Sequence, residues 1–418
     1  MKDSTYCWLP FVNLTLDTGG DLKFCCASDA TYSQVTSEDN LLTAWESSEQ
    51  MNSLRSKMIL GQADANICKA CIKNEKQNLS SKRIRYKDAM RKNQNSKNGV
   101  PLIEEDSPQI IDMDLSFSRT CNLQCATCDS RFSSKWFSDD KKRIELGINV
   151  TYEDISHLIG QNPKLKDSQV EQLIQIANKG SKITIKGGEP FLDPNFKKFI
   201  LGLDASMIHS LTCVTNGTIY DEELLEQILK IKRLNFTFSI DGSKEIHKWI
   251  RVADENHYSN LSRNMSRVHK CEINSVLSAF NIFTIDKFIE ELLEEKSFEI
   301  TNFYLHSVAQ RSFETPLVFS FKYRNLMAEK IKTSMRLIEK SANRDLAARM
   351  HLENFRKMQN FIETGGSSDQ RENTFLIHYD KILLPRRGRC LSEVDSTFGD
   401  ALTDLRKRLQ LSSSAANI

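Results

Sequence analysis

A chain of 418 residues with 39% hydrophobic content can bury more than one core, and a prior of about 150 residues per domain leaves room for at least two domains. A formal net charge of +2 gives no general bias toward nucleic acid or membrane. Eleven cysteines, with no charged-then-apolar leader and no apolar run of spanning length, read as metal ligands in a reducing compartment rather than disulfides, so a soluble cytoplasmic protein is expected.

In chain order, residues 7–16 alternate as a strand, Asp17-Thr18-Gly19-Gly20 supplies a turn, and residues 21–26 return, which predicts a hairpin. It carries Cys7 and the adjacent pair Cys25 and Cys26; Cys68 and Cys71 follow as C-x2-C. Neighbours on a regular strand face opposite sides, so Cys25 and Cys26 cannot both serve one metal. On spacing alone the four-cysteine set suits a zinc ribbon as well as an iron–sulfur cluster. Residues 73–97 are rich in lysine and arginine against only Glu75 and Asp88, and their helical part, residues 80–92, reads as a solvated linker helix. Interleaved aromatics are almost absent, which points away from a nucleic-acid site.

The run Arg119-Thr120-Cys121-Asn122-Leu123-Gln124-Cys125-Ala126-Thr127-Cys128 then places three thiols on one tight loop in C-x3-C-x2-C spacing. Three thiolates can hold three irons of a cubane cluster and leave the fourth iron without a protein ligand. Around this loop, β-type runs at residues 110–117, 182–186, 211–214, 236–240, 275–280 and 303–308 are interleaved with helix-period segments. The latter lie at residues 169–179, 221–232, 257–270 and 285–296. Such alternation implies parallel β/α units, here a partial (β/α)6 barrel in an α/β fold. The strand ends carry Gly187-Gly188-Glu189-Pro190, then Thr215-Asn216-Gly217, then Ser239-Ile240-Asp241-Gly242, and a helix follows that ends at Arg251. Strand C-termini form the catalytic face of such barrels.

Beyond the barrel, residues 323–363 read as one or two amphipathic helices, Gly365-Gly366-Ser367-Ser368 as a break, and residues 375–384 as an added strand or hairpin. Arg386-Arg387-Gly388-Arg389-Cys390 is a basic turn without an assigned purpose, and the tail from Ser412 is expected to be disordered. Cys213, Cys271 and Cys390 read as buried free thiols.

On the cysteine loop and the ordered segments after it, the chain resembles the radical S-adenosylmethionine (SAM) superfamily. The resemblance implies that Cys121, Cys125 and Cys128 ligate a [4Fe-4S] cluster with one open iron site. It also implies that Gly187, Gly188 and Glu189 hold the amino group of SAM, that Asn216 marks the family's TNG turn, and that Ser239 and Asp241 face the ribose or methionine moiety. Arg251 would take the SAM carboxylate. The family usually has an aromatic residue before the third cysteine, where this chain has Thr127. Cys7, Cys25 at its spacing from Gly20, Cys68 and Cys71, with Trp45 and Arg55, are similar to the twitch/SPASM modules that bind auxiliary clusters. Those modules normally follow the barrel, and no further cysteine occurs here between Cys71 and Cys121. A single-cluster module at the N-terminus is therefore expected, with structural zinc as the alternative.

The expected organisation is a twitch-like module at residues 1–75, a basic linker helix at 76–105, the barrel at 106–320, and C-terminal helices, hairpin and tail at 321–418. The resemblance implies a radical SAM enzyme drawing electrons from a low-potential donor such as flavodoxin or ferredoxin and modifying a peptide or protein side chain. Alternatives are a sugar, nucleotide or lipid-linked small molecule as substrate, or a non-catalytic metal-binding scaffold, against which the intact Gly187-Gly188-Glu189-Pro190 segment speaks.

Overall fold

A computed structural model of the chain describes residues 5–76, 80–94, 108–148, 160, 162, 164–307, 313–341 and 344–415. It divides into two compact units, the first built from Met1–Thr120, Gln161–Val214 and Asp221–Leu234, the second from Cys121–Gly160, Thr215–Tyr220 and Asn235–Ile418.

The first unit holds β1 (Asn13–Leu16), β2 (Asp21–Lys23), β3 (Thr31–Gln34), β4 (Asp112–Leu115), β5 (Lys182–Ile185) and most of β6 (Ser210–Thr215), in the sheet order β3-β2-β1-β4-β5-β6. The hairpin strands pair antiparallel, and β4, β5 and β6 pair in parallel, as the alternation predicts. A non-local pairing joins these two parts: β1 runs parallel to β4, with Asn13 opposite Asp112 and Leu16 opposite Leu115. All four β1 residues are buried, as befits a strand covered on both faces. The N-terminal hairpin thus continues the sheet that β4 begins.

Only part of the expected first strand is extended. Leu9–Val12 is a short helix with Pro10 in its first turn, where the missing N–H costs nothing. Two helices absent from the sequence reading, Leu41–Ser47 and Glu49–Ile59, follow β3 and bring up Trp45 and Arg55. The Arg55 guanidinium stacks 4.3 Å from the Trp45 ring centre, and its Nε donates to the Pro10 carbonyl at 2.9 Å. Trp45 Nε1 donates to the Asn13 carbonyl at 2.9 Å, so the pair fixes the segment that begins at Cys7. The returning strand stops at Lys23, which leaves Cys25 and Cys26 beyond it in a turn. The linker helix is Lys82–Gln94; the expected boundary at residues 105 and 106 lies outside the described residues.

The second unit holds nearly all of β7 (Leu234–Ser239), with β8 (Lys270–Leu277) and β9 (Glu299–Ser307), paired in parallel. Between them stand the helices Lys244–Arg251, Glu255–Val268 and Ile285–Glu294. The β8 strand begins earlier than expected and ends at Leu277, because Ser278 and Asn281 lock a turn by side-chain hydrogen bonds to the backbone. Val308, expected to close the last strand, is outside the described residues.

After the barrel strands come the expected helices Phe321–Lys340, Arg344–Arg349 and Leu352–Thr364. The expected hairpin at residues 375–384 is helical instead: Asp369–His378 runs through a π-turn at Tyr379–Leu383 into Leu384–Arg387. Phe375 and Tyr379 lie one helical turn apart and pack with Phe280, Phe319 and Phe398, so tertiary packing decides a run whose composition suits either state. The last helix, Ser396–Ala415, extends past Ser412, contrary to the expected disorder there. Among the described residues no helix is long and apolar enough to cross a membrane.

Candidate cluster and cofactor sites

In the first unit, one enclosed pocket is lined by Cys7, Cys25, Cys68 and Cys71, with Phe24, Leu54 and Met58 among its apolar walls and Arg83 at its side. Burial pushes the Cys7 thiol far up, with Cys25 and then Cys68 and Cys71 adding to the effect. Burial likewise pushes Cys25 up to about 12, with Cys26 and then Cys71 and Cys68 adding to it, and Cys68 up to about 11, with Cys71 adding to it. Cys7, Cys25 and Cys68 in an apolar pocket keep their protons unless a cation compensates the thiolates, and metal binding supplies it. The donor set therefore fits a thiolate-ligated metal group.

Cys26 belongs elsewhere. Its thiol is raised by burial and by Asp114, opposed by Lys82 and Lys186, and it takes a hydrogen bond from Lys82. Lys186 in turn pairs with Asp114 at 2.7 Å. Cys25 lines the pocket and Cys26 does not, and both cysteines lie past the strand on which the facing argument rested.

The glycine motif follows β5. Gly187 has φ +133, a conformation L-residues rarely adopt, and a Cβ at Gly188 would collide with the Thr120 carbonyl. That contact lays the strand end against the residue that precedes Cys121 in the chain. Gly188 N–H donates to the Ser118 carbonyl at 3.2 Å and Glu189 N–H to the Thr120 carbonyl at 2.7 Å. Glu189 is 1% exposed, and its Oε1 accepts from Phe191 N–H at 3.1 Å. Asn162, unmarked by any sequence signal, accepts from Arg119 N–H and donates to Thr120 Oγ1, both at 3.0 Å.

In the second unit the cysteine loop is braced from several sides. Asn216 Nδ2 donates to Asn122 Oδ1 at 3.0 Å and reaches Cys121 Sγ at 4.0 Å. Asn216 Oδ1 accepts from Thr218 N–H and Oγ1, and Thr218 Oγ1 accepts from Asn122 Nδ2 at 2.8 Å. The TNG turn is thus a lock on the loop. Ala126 N–H donates to the Ile250 carbonyl at 2.7 Å, and Trp136 Nε1 to the Cys125 carbonyl at 3.1 Å.

Arg251, the last residue of its helix, places Nη1 3.6 Å from Cys125 Sγ and Nη2 2.9 Å from Asp241 Oδ2. Burial works against its charge, but Asp241 and then Cys125, Cys128 and Cys121 outweigh that and hold its pKa above the ordinary value. Burial raises the Cys125 thiol, with Arg251 opposing. A guanidinium that senses all three thiols suits a site destined for an anionic cluster. Asp241 is fully buried, and its Oδ1 accepts from Val276 N–H at 2.9 Å, tying the ion pair to β8. Ser239 ends β7, half-buried and in register with Asn274.

None of the eleven cysteines forms a disulfide. Among the described residues no three His, Cys, Asp or Glu side chains stand close enough to grip a single metal ion. A cubane cluster spaces its thiolates over several irons. Sequence reasoning did not single out Asn122, Thr218 or Trp136, whose partners are set only by the fold, nor give a role to the 386–390 turn.

Residues 115–298 match the Radical SAM superfamily model. No curated protein matches the chain. Among solved structures, Streptococcus suis SuiB bound to S-adenosylmethionine is similar at 15% identity, covering 55% of this chain and 45% of that one, with a TM-score of 0.32. Native anSMEcpe with bound AdoMet matches at 20% identity over 62% of this chain and 68% of that one, TM-score 0.38. Streptococcus suis SuiB bound to precursor peptide SuiA matches at 14% identity over 74% and 70%, TM-score 0.37. The chain thus spans less than half the length of the first of these structures. The stretch from 115 to 298, which carries the three-cysteine loop, the Gly187-Gly188-Glu189 turn and Arg251, is a radical SAM domain.

Proposed function

We propose that the protein is an enzyme that reductively cleaves SAM at a [4Fe-4S] cluster held by Cys121, Cys125 and Cys128. The observation that carries this reading is Arg251, buried with its Nη1 3.6 Å from Cys125 Sγ within the matched domain. When bound, cluster and SAM supply one-electron cleavage to methionine and a 5′-deoxyadenosyl radical that takes a hydrogen atom from an unactivated carbon. The protein aims and encloses that chemistry. In this reading Gly187 and Gly188 offer backbone to SAM, Glu189 takes its ammonium, and Arg251, steadied by Asp241, takes its carboxylate. Ser239 faces the ribose or methionine moiety, Asn216 holds the loop, and Thr127 replaces the usual aromatic neighbour of adenine.

Cys7, Cys25, Cys68 and Cys71 are assigned to an auxiliary [4Fe-4S] cluster, on the strength of their shared pocket. The likeness of that cysteine set to twitch modules favours a peptide or protein side chain as substrate. The electron comes from an external low-potential donor such as flavodoxin or ferredoxin, in the cytoplasm. Anaerobically reconstituted protein, reduced with dithionite and given SAM, is expected to release 5′-deoxyadenosine and methionine in equal amounts. Protein that holds its irons and yields neither would overturn the reading.

Glu189→Gln gives a separate check on SAM binding. Glutamine keeps an oxygen to accept from Phe191 N–H, so the turn survives. Loss of the charge should remove a charge-assisted hydrogen bond of roughly 1.5–3 kcal/mol. At about 1.4 kcal/mol per tenfold, SAM affinity is expected to fall by about 10- to 150-fold with iron content unchanged, as measured by equilibrium dialysis. Unchanged affinity removes Glu189 from the site.

A further inference from the structure

The basic turn at residues 386–390 docks on the cysteine loop. Arg387 spends its guanidinium on backbone carbonyls: Nη2 donates to Gln124 at 3.2 Å and Ile250 at 3.3 Å, Nε to Trp249 at 3.1 Å, and Nη1 to Leu383 at 3.3 Å. The guanidinium carbon stands 4.8 Å from the Trp249 ring centre. Gln124 is the residue before Cys125, and Ile250 is the residue whose carbonyl also receives Ala126 N–H. One side chain from the C-terminal extension therefore fastens the middle of the loop to the end of the Lys244–Arg251 helix.

The neighbours of Arg387 are placed differently. Arg386 donates to Asp139 at 2.9, 3.1 and 3.2 Å, and the Gln124 side chain reaches the same carboxylate. Arg389 pairs with Glu245 at 2.7 Å, and its carbonyl accepts from Trp249 Nε1 at 3.1 Å. Both flanking arginines have their charge met by a carboxylate in direct contact. The four hydrogen-bonded partners of Arg387 are all neutral carbonyls. Burial pushes its pKa down to about 10, with Cys125 and then Glu314 opposing that, so it remains a cation at neutral pH. A cation so placed acts electrostatically on whatever anion Cys125 joins.

We propose that Arg387 is a positioning residue for the cluster loop, fixing the Gln124 carbonyl and through it Cys125, and that its cation raises the reduction potential of the cluster. A positive charge beside a cluster favours the reduced, more negative state, and reduction potentials respond to charge and hydrogen bonding around the ligating sulfurs. The inference rests on the cluster assignment above, whose failure would show in the wild-type holoprotein as absent cluster or absent SAM cleavage.

The test compares wild type, Arg387→Gln, Arg387→Lys and Arg406→Gln, each as anaerobic holoprotein titrated with titanium(III) citrate and followed by electron paramagnetic resonance. Arg406 pairs with Asp380 in the same extension and serves as the control. Arg387→Gln is expected to keep its irons but to show about a tenfold smaller ratio of reduced to oxidised cluster at a fixed potential, equivalent to about 59 mV for one electron. Arg387→Lys should recover most of that loss, and Arg406→Gln should match wild type. An iron-replete Arg387→Gln protein with wild-type potential overturns the inference. Should Arg387→Gln lose its cluster, the lysine variant decides: a cluster kept at wild-type potential upholds the role of the charge, and a cluster lost or shifted there overturns it.

Discussion

Replacing Cys121, Cys125 and Cys128 together with alanine is expected to abolish 5′-deoxyadenosine formation while the protein stays folded. The fold should survive because the loop is held largely by groups other than the thiols: Asn122 and Asn216 to one another, Ala126 to Ile250, and Arg387 to the Gln124 carbonyl. Iron should fall from about eight to about four per chain, by the arithmetic of two cubanes losing one. Circular dichroism and iron analysis on the same preparation separate loss of the cluster from loss of the structure. A triple variant that still made deoxyadenosine would place the chemistry elsewhere.

The second large effect is expected in the other cysteine set, where neighbours in sequence should behave in opposite ways. Cys25 shares the enclosed pocket with Cys7, Cys68 and Cys71, whereas Cys26 is engaged by Lys82 and Asp114. In the background of the triple variant, Cys25→Ala should strip most of the remaining iron, about four per chain. Cys26→Ala should retain it. Metal analysis after reconstitution with iron and zinc both present also distinguishes the two chemistries that the spacing allowed. Residual zinc in place of iron would remove the auxiliary cluster and leave the barrel chemistry standing. Iron lost from Cys26→Ala but kept in Cys25→Ala would reverse the ligand assignment.

The parts legible in the sequence were those written in local demands. Two glycines at the end of β5 are required by a close backbone approach and by a positive φ, and both requirements appear at Gly187 and Gly188. The strand–helix alternation survives as parallel pairs among β4, β5 and β6 and among β7, β8 and β9. What escaped was set by distant partners. No periodicity could announce that β1 pairs with β4, or that Asp241 would hold Arg251 and the end of β8 together. The helix through Phe375 and Tyr379 reads as extended chain in sequence because its apolar residues are dense enough to satisfy either period. Arg387 was visible only as one more basic residue, since its carbonyl partners on Gln124 and Trp249 lie far back along the chain.

The β1–β4 pairing also sets a timetable for synthesis. Asn13 meets Asp112 across 99 residues of chain, which at about 5–20 residues per second is a wait of roughly 5–20 seconds on the ribosome. Leu14 and Leu16 have no β4 beside them until then. Cys7 is made just before that interval and Cys25, Cys68 and Cys71 during it, all before the strand that completes their sheet exists. The nascent N-terminus therefore presents its thiols to the cell before it can close over them, and whatever metal group they receive must either arrive in that window or enter a pocket already walled by Phe24, Leu54 and Met58.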